Sequence, residues 1–174
     1  MMFIFVKAVG LAPVFLAFFS LLFLVSLLSY HTIRKSFEQL ELDRKKFIEV
    51  GRQLYATAVK VINMLQNKGD FLNNYDKILS LAGNLYSQEN NEREVVRANI
   101  LLKQELEILP VLVSNVSELA ENRAIQEALA EMQEAEKLYQ FAYNKYAYNL
   151  KYYNAFIEKL PSKWVAQVVG YKKQ

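Results

Sequence analysis

No charged side chain lies between Lys7 and His31, and from Ala8 to Leu28 the chain carries nothing more polar than Ser20 and Ser26. At about 1.5 Å of rise per residue, ~21 helical residues cover roughly 31 Å, the hydrocarbon thickness of a bilayer. Such a run is a cleaved signal peptide, a transmembrane helix or a buried core helix, and its length and flanks separate these. A signal region is shorter, about 7 to 15 residues, and ends in small residues at alternate positions. Here the run closes on Val25, Ser26, Leu27, Leu28, Ser29 and Tyr30, with Leu27 where a small residue is wanted. The flanks therefore favour an uncleaved anchor over an exported stalk left by signal cleavage. Pro13 falls where it kinks or starts the helix, and Tyr30 and His31 suit the interfacial zone.

Orientation follows from the basic residues near each end. Lys7 alone precedes the span, whereas Arg34, Lys35, Arg44, Lys45 and Lys46 follow it, and acidic neighbours hardly offset that bias. The expectation is a single-pass protein of the cell membrane, with a very short outer N-terminus and a cytoplasmic C-terminal domain. The expected organisation is an N-terminal segment, 1–30, with the transmembrane helix at about 8–28, followed by one domain, 31–174, large enough for a single core.

The rest of the composition restricts chemistry. Among 174 residues there is no Cys and one His, so disulfides, thiolate zinc sites, a catalytic thiol and most triad or metal chemistry lose their residues. The net charge is +3 with both signs interleaved, unlike the basic stripe of a nucleic-acid binder, and no cofactor or nucleic-acid partner is expected. The clusters Arg44, Lys45, Lys46 and Lys172, Lys173 read as solvated helix faces or ends. Glu127, Glu131 and Glu134 share one helical face, but with no His among them they read as a solvated acidic face rather than a metal box. Asn115-Val116-Ser117 matches a glycosylation sequon that a cytoplasmic location makes moot.

Beyond the anchor, apolar periodicity points to helices. Ile33, Phe37, Leu40, Phe47, Leu54, Ala58, Val61 and Leu65 recur at steps of three and four, widened by Ile48, Tyr55 and Ile62. The only breaker between Tyr30 and Asn67 is Gly51, so this helix continues straight out of the membrane and, at ~35 residues, projects roughly 50 Å. A turn at Asn67–Asp70, a short amphipathic stretch from Tyr75 to Tyr86, a polar run from Ser87 to Asn91 and a helix opened by an Asn91/Glu94 cap pair follow. Pro110 should interrupt that helix, because the residue before proline avoids helical geometry. Val111–Val116 is β-branched, yet it has no second strand to pair with, and helix or a tight connection is expected.

The last long stripe runs through Ile125, Leu129, Met132, Tyr139, Tyr143, Tyr146, Leu150, Tyr153, Ile157 and Leu160, interrupted only by Glu136. A coiled-coil seam of this kind needs a long apolar partner, and the helix beginning at Ile33 matches it. Pro161 ends the stripe, Ser162 is placed to cap a short last helix through Trp164 and Val168, and Gly170 is placed to stop it. The fold class is all-α: an N-terminal transmembrane helix continuous with an elongated antiparallel helical bundle.

The C-terminal stretch carries a pattern. Tyr153-Asn154, Ile157, Pro161, Ala166 and Gly170-Tyr171 are spaced as in the closing motif of the LemA family, loosely YNxxIxxFPxNxxAxxxGF, which this segment resembles. Tyr146 with Leu150 is similar to that family's preceding YNxxV unit, Glu136 to a glutamate it often carries, and Leu101, Leu102, Leu106 and Leu109-Pro110 to its "LL…YP" segment. Leu160, Lys163 and Ala147 depart from the pattern. The resemblance implies the fold and the membrane attachment; it implies no activity.

Six tyrosines crowd between Tyr139 and Tyr153. Most lie on the seam, where the ring is buried and the hydroxyl sits at a rim, so packing is the expected role. Asn149 and Asn154 adjoin the seam and are expected to hydrogen-bond a neighbouring helix. Trp164, Lys172 and Lys173, with nearby aliphatics, have the composition of a membrane-interface contact; the alternative is a cap on the end of the bundle core, and helix parity decides whether this tail returns to the bilayer. The functional expectation is a non-catalytic, membrane-anchored scaffold or protein-interaction module that contacts the bilayer through its first helix and binds a protein or itself. The alternative is a small-ligand binder or enzyme with a tyrosine-lined interhelical pocket including Asn149 or Asn154.

Overall fold

The computed structural model describes residues 2–66, 78, 80–83, 92–115 and 117–174, and among them there is no strand. The helices are α1 (Met2–Gln66), α2 (Glu92–Leu106), α3 (Ile108–Ser114), α4 (Ser117–Ala120), α5 (Arg123–Glu158) and α6 (Ser162–Val169). The chain is all-α. The turn expected at Asn67–Asp70, the polar run Ser87–Asn91 with its Asn91 cap, most of Tyr75–Tyr86 and Val116 of the sequon lie outside the described residues.

Helix α1 passes through two environments without a break. Between residues 12 and 28, with Pro13 inside it, it is apolar and outward-facing: Leu16 is 69 % and Phe23 66 % exposed. Covering begins at Ser29 and Ile33, and from there Leu40, Phe47, Leu54, Ala58, Val61, Ile62 and Leu65 are buried. Among the described residues α1 is the helix long and apolar enough to cross a membrane.

Backbone contacts divide the chain into two compact units, one of Met1–Glu41 with Ala147–Gln174 and one of Leu42–Tyr146. In the second, α1 and α5 are antiparallel. Lys145 Nζ lies 2.9 Å from Asp43 Oδ1, and Lys60, further along α1, pairs with Glu131, earlier on α5. Between them Phe47 packs on Tyr139, Tyr143 and Tyr146, its ring parallel to that of Tyr146 at 5.6 Å. Leu102, Leu106, Leu109, Val113 and Leu119 of the connecting helices complete this core.

The break between α2 and α3 falls at Glu107, three residues ahead of Pro110 rather than next to it. Proline lacks the N–H that would bond the carbonyl four residues back and its ring crowds that carbonyl, so the strain lies at Leu106. Restarting the helix at Ile108 puts Pro110 in a first turn, where no such bond is needed. Val111 and Val113 then continue as helix despite their β-branched side chains, with Leu109 and Val113 buried. Helix α5 opens on Asn122, whose Oδ1 accepts from the backbone N–H of Ala124 at 3.0 Å and of Ile125 at 3.4 Å.

Gly51, read from sequence as a possible breaker, sits within α1 because α2 needs room there. A Cβ at Gly51 would lie 1.8 Å from Asn99 Oδ1. Asn99, 1 % exposed, fills that space and donates from Nδ2 to the Phe47 carbonyl at 3.0 Å, while its own carbonyl accepts from the Tyr139 hydroxyl at 3.2 Å. One glycine in a helix costs about 1 kcal/mol relative to alanine, yet here alanine cannot recover that energy. Gly51→Ala is expected to destabilise the chain by about 1–3 kcal/mol through overpacking. Thermal unfolding followed by circular dichroism in detergent checks this. Asn99→Ala in the same chain should recover part of the loss, and additive effects of the two changes would contradict the contact.

Candidate functional site

The residues that sequence singled out after Tyr153 converge in the unit of Met1–Glu41 with Ala147–Gln174. Tyr153 is fully buried, with its ring centroid 5.8 Å from that of Phe37. Its hydroxyl donates to the backbone carbonyl of Lys172 at 3.1 Å. The ring of Tyr171 lies 5.4 Å from Phe37 in an edge-on arrangement, so Phe37 is held by two tyrosines from either end of the C-terminal segment. Asn154 pairs twice with Gln174: Nδ2 donates to its carbonyl and Oδ1 accepts from its N–H, each at 3.1 Å. Lys173 Nζ reaches Glu158 at 2.6 Å and holds that carboxyl below the usual carboxylate range. Asn154 therefore bonds the backbone of the segment after α6 instead of a neighbouring helix.

The chain between α5 and that segment is shaped to bring it back. Ile157 is buried at the last turn of α5. Leu160 leaves the seam and is 62 % exposed, because the helix has ended at Glu158. Pro161, not Ser162, occupies the N-cap position of α6, and no side chain caps that end; Ser162 is the first helical residue and is buried. The covered face of α6 is made by small residues, Ser162 and Ala166, one turn apart. Gly170 has φ +89°, a left-handed conformation that glycine adopts without a Cβ penalty. There the N–H groups of Gly170 and Tyr171 both donate to the Ala166 carbonyl at 2.9 Å, turning Tyr171 towards Phe37.

Trp164 stands 61 % exposed on the other side of α6, and Lys172 is exposed while its carbonyl is engaged. Tyr146 lies in the other unit, half-buried against Phe47. Sequence gave Phe37 no role beyond its place in a stripe, and Glu158 none at all; neither residue type announces a partner so far along the chain.

The seam tyrosines of the Leu42–Tyr146 unit are packed. Burial, with Tyr143 alongside, pushes the Tyr139 phenol well up. Glu136, the polar interruption in the stripe, is 2.9 Å from Lys103 Nζ. Glu127 and Glu131 pair with Arg123 and Lys60, and among the described residues no group of His, Asp and Glu is arranged to hold a metal ion. An open groove of about 500 Å³ between α1 and α5 in the first unit is lined by His31, Lys35, Gln39, Asn149 and one tyrosine, Tyr152. In the other unit a groove of about 380 Å³ runs beside Asp43, Val50, Ala142 and Lys145, with Leu138 and Phe141 standing exposed at its edge.

The Tyr153 phenol is pushed up to about 12 by burial, by Tyr171 and by Glu41. Because the folded state holds its proton more tightly than the unfolded state, its contribution is complete below about pH 10 and is lost as pH rises towards 12. Tyr153→Phe is expected to flatten the alkaline limb of a plot of melting temperature against pH, and an unchanged slope would contradict the buried phenol. At neutral pH, Tyr153→Phe should cost about 1 kcal/mol, roughly 2–4 °C of melting temperature. Tyr153→Ser should cost about 3–5 kcal/mol and Asn154→Ala less than that, as read by the same melts.

The family model described as LemA family matches residues 72–174, and the chain belongs to this family. No curated protein and no solved structure matches it. Of the positions in its closing motif, Tyr153, Ile157 and Ala166 are buried and Gly170 is left-handed, whereas the two departures, Leu160 and Lys163, fall on exposed residues.

Proposed function

We propose that this member of the LemA family is a single-pass membrane protein whose helical domain lies in the cytoplasm and serves as a scaffold or protein-interaction module rather than an enzyme. The observation that carries the anchoring is the change along α1. Its apolar side chains from Val14 to Leu24 face outward on the helix, an arrangement stable only in an apolar solvent, and the same helix buries one stripe from Ile33 onward. Arg34, Lys35, Arg44, Lys45 and Lys46 support the cytoplasmic side.

The seam tyrosines have packing partners: Phe47 takes up Tyr139, Tyr143 and Tyr146, and the hydroxyls of Tyr139 and Tyr153 bond backbone carbonyls. That supports packing over catalysis. Leu138 and Phe141, 59 % and 72 % exposed at a groove, supply apolar surface of the kind protein partners cover.

Because the sequence has no Cys, a single Cys at exposed Lys137 reports topology without background. In intact cells an impermeant maleimide should leave it unlabelled until the membrane is opened; labelling before that would contradict the cytoplasmic side. A photo-crosslinking residue in place of Phe141 should give a discrete protein adduct in membranes that the same residue at exposed Gln104 of α2 does not, and identical patterns would contradict an interaction surface there.

A further inference from the structure

Helix α6 has two apolar faces, and only one is covered. Ser162 and Ala166 are buried, whereas Trp164 and Val168, also one turn apart, are 61 % and 88 % exposed, and Leu160 extends their ridge at 62 %. A short helix that turns its largest apolar side chains outward has no partner for them within its own unit. From Lys159 onward the chain carries four lysines, Lys159, Lys163, Lys172 and Lys173, and no acidic residue. Glu158 pairs with Lys173, and Lys159, Lys163 and Lys172 are exposed. Tryptophan and aliphatic side chains with lysines at their flanks match an anionic bilayer interface.

Position selects the occupant. Tyr171, directly after α6, packs on Phe37, and Phe37 lies only seven residues beyond Tyr30, about 10 Å along the helix axis. The segment after α5 therefore returns to the part of α1 that adjoins its outward-facing apolar stretch, the outcome that helix parity had left open. We infer that α6 docks on the surface of the membrane that α1 spans, with Leu160, Trp164 and Val168 inserted at the headgroup level and Lys159, Lys163 and Lys172 against anionic lipid. This rests on the anchoring proposed above. It gives the protein a second bilayer contact, which lays the clasp around Tyr153 against the membrane surface and makes that contact sensitive to lipid charge.

Trp164 is the only tryptophan in the sequence, so its fluorescence reports this helix alone. The full chain is reconstituted into vesicles of phosphatidylcholine with phosphatidylglycerol, and into phosphatidylcholine alone, each with and without lipid brominated on its acyl chains. In the anionic vesicles Trp164 emission is expected to shift to shorter wavelength, to lose intensity to the brominated lipid and to resist aqueous iodide. Lys159→Gln with Lys163→Gln, both at exposed positions, should weaken these changes without a large change in melting temperature. Emission that iodide quenches freely and brominated lipid leaves untouched, in a chain that still resists alkaline carbonate extraction, would overturn the docking while leaving the anchor intact. Loss of the chain from the vesicles in carbonate would overturn the anchor and the docking together. A shift that persists in detergent and grows with protein concentration would assign the ridge to a second copy instead, and so contradict docking on lipid.

Discussion

Burying a whole tyrosine is favourable only when both its ring and its hydroxyl find partners, and at Tyr153 those partners come from different segments. The ring lies on Phe37 of α1, and the hydroxyl is taken by the carbonyl of Lys172, after α6. One side chain thus ties the start of the covered part of α1, the end of α5 and the returning segment into a single unit. The features around it serve that closure. Pro161 ends α5, Ser162 and Ala166 let α6 approach closely, Gly170 reverses the backbone and Tyr171 meets Phe37 from the other side. Of the positions that mark the LemA family in this chain, Tyr153, Asn154, Ala166, Gly170 and Tyr171 take part in that closure.

The second constraint is on α1. A helix that stays continuous from an outward-facing apolar stretch into a buried core has to change its pattern without changing its backbone. It does so between Leu28, 65 % exposed, and Ile33, fully buried. The stripe that follows demands cover over many turns, and the antiparallel α5 supplies it in the Leu42–Tyr146 unit, where Phe47 collects three tyrosine rings. Asn99 is a buried polar residue in that unit: its side-chain Nδ2 donates to the Phe47 carbonyl, and its backbone carbonyl accepts from the Tyr139 hydroxyl.

The parts of this architecture that depend on periodicity were legible in the sequence. The uninterrupted α1, the long α5 beginning near Ile125 and the stop at Gly170 each follow from local spacing or from one residue's backbone preference. Features set by a tertiary approach were not. Gly51 looks like a weakness in a helix until Asn99, far along the chain, is seen to occupy the space its missing Cβ leaves. The sequence expectation paired Asn154 with a neighbouring helix, because nothing local shows that Gln174 comes back to it. Ser162 resembles a cap, but the chain reverses at Pro161, which moves the helix start by one residue and buries the serine. Leu160 keeps the seam's spacing and falls outside the seam because α5 has already ended. The break ahead of Pro110 is displaced for a related reason: proline's conflict lies with a carbonyl one turn back.

In this chain the closing motif is a structural clasp: Tyr153, Asn154, Gly170 and Tyr171 tie the end of the chain to α1 and α5. Hydrogen exchange at the backbone amides of Gly170, Tyr171 and Gln174 in the intact chain measures it most directly, since their acceptors, the Ala166 carbonyl and Asn154 Oδ1, belong to the clasp itself. These three amides are expected to exchange slowly, and in Tyr153→Ser to lose protection together with the amides around Phe37. Exchange of all three at the rate of an unstructured peptide in the unaltered chain would contradict it.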